Sequence, residues 1–319
     1  WNSYTYEIPV IFHVLYADRN QAAQYISATR LENILKAVNK FYAGSGEGSN
    51  LNVTFTLAQT DEKGKALSTP GVEYIQWEED YPIAYPDFMT NNENKYTRYI
   101  WDPNQYINVM MYPFKSDNER YTTLGISHMP YTTKGSHSLE GLTQIEQTTL
   151  KKGNLMYPYC VSINSLYIDE ESTDQYYNPQ DVTVTLAHEL GHYLGLYHVF
   201  SEDEDDTCKD TDYCEDTPSY NKTEYDSYYE WAVKGGVEQS KWFSALVQRT
   251  NCSGKRFTST NLMDYEISYS NQFTADQRAR VRHVLMYSPL IPGPKQTSRA
   301  ASASAAANEP INLPIRTAK

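Results

Sequence analysis

The eleven residues from His188 to His198 read H-E-L-G-H-Y-L-G-L-Y-H, a spacing that can hold a metal ion. On a helix, His188 and His192 lie one turn apart on one face, so both imidazoles can reach the same ion. Glu189 follows the first histidine, placed to act on a water at that ion rather than to ligate it. Gly195 suits a sharp helix exit, because glycine accepts the left-handed backbone conformation. The chain can then double back and bring up His198 as a third nitrogen ligand. Three protein ligands leave one position of a tetrahedral zinc open, which is the catalytic arrangement rather than the structural one.

The neighbouring residues must build the helix that carries this pattern. Asn178-Pro179 predicts an N-cap followed by proline at the first helical position, with Asp181 in the first turn. Leu186, Leu190 and Leu194 form an apolar stripe at four-residue spacing that can hold the helix on a core. Upstream, Ile8–Tyr16 and Asn52–Ala58 are rich in β-branched and aromatic residues and read as strands. Between them Leu31, Ile34, Leu35, Val38, Phe41 and Tyr42 recur at helical spacing, with Ser27 before them and Gly44 as a stop. Tyr106–Tyr112, Leu124–Met129 and Cys160–Ile168 supply three more strand candidates. A twisted, mostly parallel sheet with two helices packed on it is the simplest assembly. Thr274 with Gln277 three residues on predicts a capping box for a closing helix. The segment 220–250 has a helical look and is rich in tyrosine and tryptophan. From Pro289 the composition turns to Pro, Ala and Ser, which cannot build a core and reads as a tail or linker.

The complete spacing H-E-x-x-H-x-x-G-x-x-H resembles the signature of the metzincin metallopeptidases. Asn261-Leu262-Met263-Asp264-Tyr265 is similar to the methionine turn that underlies the zinc in that class. This form of the turn, with Asp216-Thr217-Pro218 between the two motifs, looks most like the pappalysin family. Ile8–Val14 resembles that family's first strand, Leu124–Pro130 its upper edge strand, and Phe273–Gln277 the start of its last helix. The resemblance runs over roughly residues 6–288, with sharp motifs only from 181 to 277.

Several expectations follow from the resemblance. The fold is an α/β (α+β) metzincin-like one: a twisted five-stranded mixed sheet, two long helices above a zinc cleft, and a smaller irregular C-terminal subdomain. The chain divides into 1–198 with the zinc helix, 199–288 with the methionine turn, and a tail at 289–319. His188, His192 and His198 hold zinc, Glu189 serves as the base, and Met263 packs beneath the metal. Tyr265 assists at the oxyanion or, read structurally, is a packed tyrosine with a satisfied hydroxyl. Leu124, Gly125, Ile126, Ser127 and His128 receive an extended peptide as an added strand. Relatives that prefer arginine after the cut carry an acid where this chain has Ser268, flanked by Tyr269, so a neutral or apolar pocket is expected there. The family also implies a secreted, bacterial endopeptidase acting on peptide or protein substrates.

The four cysteines, Cys160, Cys208, Cys214 and Cys252, fit two disulfides in an oxidising compartment, and three pairings are open. The family pattern leans towards a bridge from Cys208 or Cys214 to Cys252. Asp205, Asp206, Asp210, Asp212 and Asp216 form an acidic stretch that suits Ca²⁺, although such runs are usually only solvated. A net charge of −13 argues against nucleic acid as a partner. No stretch approaches the roughly 18 apolar residues of a membrane span. No basic-then-apolar leader precedes the first strand, so a signal or prosegment is expected to lie outside the sequence. A monomer is expected. The 29 tyrosines either line a peptide or glycan surface or serve as amphipathic filler. His13, His128, His137 and His283 lack partners at ligand spacing. A different class of reading makes the chain a surface protein that binds protein or glycan and keeps a vestigial or latent zinc site. A third is a zinc hydrolase of non-peptide bonds.

Overall fold

A computed structural model describes residues 1–116, 118, 120–265, 267–296 and 308–319. The sheet is organised around β1 (Tyr6–Tyr16), whose second half is buried on both faces, as a central strand requires. Its first half pairs in parallel with β2 (Val53–Leu57), and its second half pairs on the same edge with β3 (Val72–Gln76). On the other side lie β4 (Ile107–Tyr112), parallel to β1, and β6 (Val161–Asn164), parallel to β4. β5 (Gly125–His128) runs antiparallel to β6, and β7 (Thr317–Ala318) pairs antiparallel with β5. The order β7-β5-β6-β4-β1-β2, with β3 also on β1, contains the five expected strands and two more. Neither addition has a strong local pattern: β3 is five residues long and β7 only two.

α1 (Ala28–Ala43) starts at Ser27, whose hydroxyl accepts from the Arg30 N–H, and ends at Gly44 with φ +77°. It packs on α2 (Val182–Tyr193), where the buried Tyr42 hydroxyl donates to the Ala187 carbonyl at 3.0 Å. α2 begins three residues later than the Asn-Pro pair suggested. Asn178 Oδ1 instead accepts from the Gln180 N–H in a local turn, and Asp181 caps the helix by accepting from Thr183 and Val184. Such competing side-chain turns are why Asn and Asp near a helix start are hard to rank. α3 (Ala275–Tyr287) opens on the predicted box, with Thr274 Oγ1 accepting from the Gln277 N–H and Gln277 Oε1 from the Thr274 N–H.

Most large apolar side chains belong to one core that joins the sheet, both long helices and α3. Ile11, Ala58 and Tyr106 form a small second cluster. Within 220–250 the structure has a helix at Lys222–Trp231 and a short one at Trp242–Leu246. No helix among the described residues is long and apolar enough to cross a membrane.

The tail departs from expectation. Residues 297–307 lie outside the described part, but 308–319 fold back onto the body, with Leu313 buried and Ile311, Ile315 and Ala318 against the core. Pro, Ala and Ser dominate the stretch before them. The alternating Ile311, Leu313 and Ile315 then give one face enough apolar surface to dock.

Candidate metal centre and cleft

α2 carries His188, Glu189 and His192, all buried. The chain leaves the helix through Gly195 at φ +96°, where a side chain would also strike Val284 Cγ2 at 2.7 Å. That exit returns His198 towards the helix. The three Nε2 atoms then stand 3.0, 3.1 and 3.3 Å apart. Each ring is oriented through its other nitrogen. The Nδ1–H groups of His188 and His192 donate to the carbonyls of Leu262 and Leu196, both at 2.7 Å, and that of His198 donates to Glu202 Oε1 at 2.7 Å. All three Nε2 lone pairs are thereby left facing one point, with a carboxylate or carbonyl behind each ring.

This arrangement fits zinc. Tetrahedral coordination at about 2.0–2.1 Å puts neighbouring nitrogens roughly 3.3 Å apart. Burial pushes the pKa of His188 down to about 3 and that of His192 well down, with the neighbouring rings adding to both, so the imidazoles stay unprotonated as metal binding requires. Among the described residues this trio is the sole group of three or more His, Cys, Asp or Glu side chains that converges in this way.

Beneath the trio, Met263 is fully buried, its Sδ packed so close to α2 that a Cβ at Gly191 would lie 2.5 Å from it. The turn is held by its polar members. Asn261 Oδ1 accepts from the Met263 N–H, and its amide pairs reciprocally with that of Gln277 at 2.9 Å. Asp264 accepts from the hydroxyls of Tyr220 and Ser259 and faces Arg249. Tyr265 is thereby set edge-on to His198, ring centres 4.7 Å apart.

Glu189 lies against the edge strand. A Cβ at Gly125 would stand 2.7 Å from Glu189 Cγ, so this close approach needs glycine. Burial raises the Glu189 carboxyl well above its ordinary pKa, and Oε2 has no hydrogen-bond partner among the described residues.

These features coincide with a family. The sequence profile of the Peptidase_M43 family, described as pregnancy-associated plasma protein-A, matches residues 113–286, over half of the chain. The chain belongs to the Peptidase_M43 family. An extracellular metalloprotease of Arthroderma benhamiae is 30% identical to this M43 chain over 163 residues, 50% of each protein. One from Arthroderma gypseum is 35% identical over 98 residues, 31% of each. The M43 chain thus spans half or less of the length of these relatives. In fold it is similar to mature mirolysin of Tannerella forsythia in complex with a cleaved peptide, with TM-score 0.56 and 22% identity over 88% of this chain and 91% of that one. A promirolysin mutant matches at TM-score 0.55 and 21% identity, over 89% and 81%. The metzincin-like fold is therefore the one the motifs implied.

Some expected site residues are placed elsewhere. Ser268 does not line the cleft: it is fully buried, its Oγ sharing a hydrogen bond with Ser259 at 2.7 Å and accepting from the Ser270 N–H. Tyr177, Phe243 and Tyr269 form the wall in front of it. The acidic stretch is not gathered around a point. Asp206 and Asp210 accept from backbone N–H groups of their own turns, Asp216 accepts from Asp276 N–H, and Asp212 is buried against Thr217. Asp205 is exposed.

One disulfide forms, Cys208–Cys252, joining the segment after the third histidine to the one before the methionine turn. Cys160 and Cys214 are free thiols, which corrects the count of two bridges. Cys160 is buried in the sheet beside Met89 Sδ at 3.6 Å, whereas Cys214 is buried in the lower part near Asp212 and Arg280. Of the expected substrate-strand residues, Ile126 and His128 are buried, and the main chain of β5 pairs with β6 on one side and β7 on the other.

Sequence reasoning overlooked the positions of Glu202 and Gly191. Glu202 stands four residues after His198, and Gly191 is a glycine inside a helix, where it is costly. Both signals were available.

Proposed function

We propose that the chain is a zinc-dependent endopeptidase that hydrolyses internal peptide bonds. The observation that carries this is the convergence of the His188, His192 and His198 Nε2 atoms beside the buried Glu189 carboxyl, whose Oε2 has no hydrogen-bond partner among the described residues. These three residues would hold the ion. When bound, zinc supplies a Lewis acid that lowers the pKa of a water to about 7 and polarises the scissile carbonyl.

The protein's own groups do the rest. Glu189 is the base that takes the proton of the attacking water and returns it to the leaving amine. Burial raises its carboxyl above the ordinary pKa, which makes it a stronger acceptor for the water's proton. The Tyr265 hydroxyl points at the same place as the three histidines and donates to the oxyanion. The main chain of β5 holds the substrate as an added strand, and the Tyr177, Phe243 and Tyr269 wall receives the residue after the cut, favouring apolar side chains.

Residues 1–198 supply the upper wall and 199–288 the lower one. The names of the Arthroderma relatives and the disulfide support an extracellular setting. Cleavage of a mixed peptide library, read by mass spectrometry for the wild type beside Glu189→Ala, tests the reading. Internal cuts confined to the wild type are expected. A folded, zinc-loaded wild type that cuts nothing the mutant does not would overturn it.

A further inference from the structure

The cleft is not open along its whole length, because the chain's own last described segment lies in it. β7 pairs antiparallel with β5, Thr317 opposite His128 and Ala318 opposite Ser127. The Met129 N–H donates to the Arg316 carbonyl at 2.8 Å, extending that pairing by one bond. Further back, Asn154 Nδ2 donates to the Glu309 carbonyl and the Ile311 N–H donates to the Asn154 carbonyl. The path is shaped to fit: a Cβ at Gly153 would lie 2.6 Å from that of Asn308. Arg316 donates to the Gly141 carbonyl and lies over the Tyr197 ring at 4.8 Å.

The segment ends at the metal centre. The Lys319 oxygen stands 2.6 Å from His198 Nε2, 3.3 Å from His188 Nε2 and 2.9 Å from the Tyr265 hydroxyl. Both imidazoles already spend their only N–H on Nδ1, so this oxygen faces lone pairs, as a fourth donor to a shared cation would. The Lys319 side chain turns to Tyr85, with Nζ 2.9 Å from the hydroxyl and 5.2 Å from the ring centre. A strand that runs antiparallel to β5 and brings the Lys319 carbonyl to the ligands has the polarity of the substrate half preceding the cut.

We propose that Ile311–Lys319 is the resident occupant of that half of the cleft, a tethered strand that incoming peptide must displace, and that Tyr85 forms the subsite for a basic residue immediately before the cut. This rests on the peptidase reading for the meaning of "before the cut", but occupancy itself can be tested without turnover. The preference concerns the opposite side of the bond from the aromatic wall at Tyr269, so the two pockets select different chemistries. Tethering keeps the strand at an effective concentration in the millimolar range, which a free peptide must outcompete.

The test uses the 319-residue chain, zinc-loaded, in a Glu189→Ala background. The probe is a fluorescein-labelled peptide of residues 309–319, followed by anisotropy, with hydrogen exchange at the 125–129 amides as a second readout. Leu313→Asp places a charge on the tail's buried anchor without altering the cleft. It is expected to bind the probe about tenfold or more tightly than the chain with its native tail, and to exchange faster at 125–129. Lys319→Glu, which leaves the anchor intact, is expected to tighten probe binding about threefold by the same competition. A probe peptide ending in Glu instead of Lys is expected to bind more weakly than the native one to Leu313→Asp, and Tyr85→Phe is expected to narrow that difference. Equal probe affinity and equal exchange with native and disrupted tails would overturn the occupancy. Equal affinity for Lys- and Glu-ended probes would overturn the subsite. Should the library be cut while the tail variants change nothing, only this inference fails. If tail disruption admits the probe while no chain cuts the library, only the peptidase reading does.

Discussion

Two regions meet at the metal centre under opposite rules. α2 is buried along almost its whole length, each of its histidines fixed by a backbone carbonyl, and Gly191 locks it onto Met263. The tail strand reaches the same point with one buried side chain, Leu313, and a few main-chain bonds to an edge. A helix that must hold ligands to within tenths of an ångström needs dense packing behind it, because side chains there have one arrangement. A strand that can leave needs only the exchangeable bonds of a sheet edge, which another peptide can supply equally well.

The comparison can be broken or sharpened by substitution. Glu189→Gln keeps the shape of the side chain but removes the base, so kcat should fall about 10²–10⁴-fold with zinc content unchanged by metal analysis. Loss of zinc instead would make Glu189 part of the ligand scaffold. Next comes a pH effect on the strand that the tail pairs with. His128 is fully buried, its Nδ1 accepting from the Cys160 N–H and its Nε2–H donating to the Met89 carbonyl, and burial pushes its pKa down to about 4. The unfolded chain binds this proton with the ordinary pKa near 6.5. Its contribution is therefore intact above pH 6.5 and is lost as pH falls towards 4, by roughly 3 kcal/mol in all. Chemical denaturation of wild type and His128→Gln between pH 7 and 4 should show a steeper loss in the wild type. Parallel curves would mean that His128 is not the group responsible.

Removing the orienting carboxylate is expected to act at a distance from the metal. Glu202→Ala should weaken zinc affinity about 10–100-fold in a chelator competition, while the fold survives. A matched pair of glycine substitutions then separates the two regions directly. Gly191→Ala forces a methyl onto Met263 and should cost about 1–3 kcal/mol. Gly153→Ala meets Asn308 of the tail first and should stay within about 0.5 kcal/mol, while exposing the 125–129 amides to faster exchange. A comparable loss of stability from both would mean that the tail is as integral to the fold as the helix.

How much of this could be read in advance depended on how local each feature is. The histidine trio, the capping box at Thr274 and the ends of α1 at Ser27 and Gly44 all lie within a few residues of their partners; the structure has the box and both helix ends where the spacing put them, and it brings the three Nε2 atoms together. The start of α2 was missed by three residues, since Asn178 and Asp181 compete for the same role. Ser268 was expected in the cleft because it stands where arginine-preferring relatives carry an acid, yet the turn buries it against Ser259. Cysteine parity suggested two bridges, but only Cys208 and Cys252 come together.

The chain's own order of residues thus fixed which imidazoles can come together and which helix presents two of them, because a four-residue repeat is a local geometric fact. It could not settle that the Leu262 carbonyl stands behind His188, which wall faces the cleft, or that residues 308–319 return to the histidines. Those contacts join positions far apart in the chain, such as His188 with Leu262, Lys319 with His198 and Tyr85 with Lys319. They exist only once the sheet has brought its edge, its crossing helix and its far end to one place.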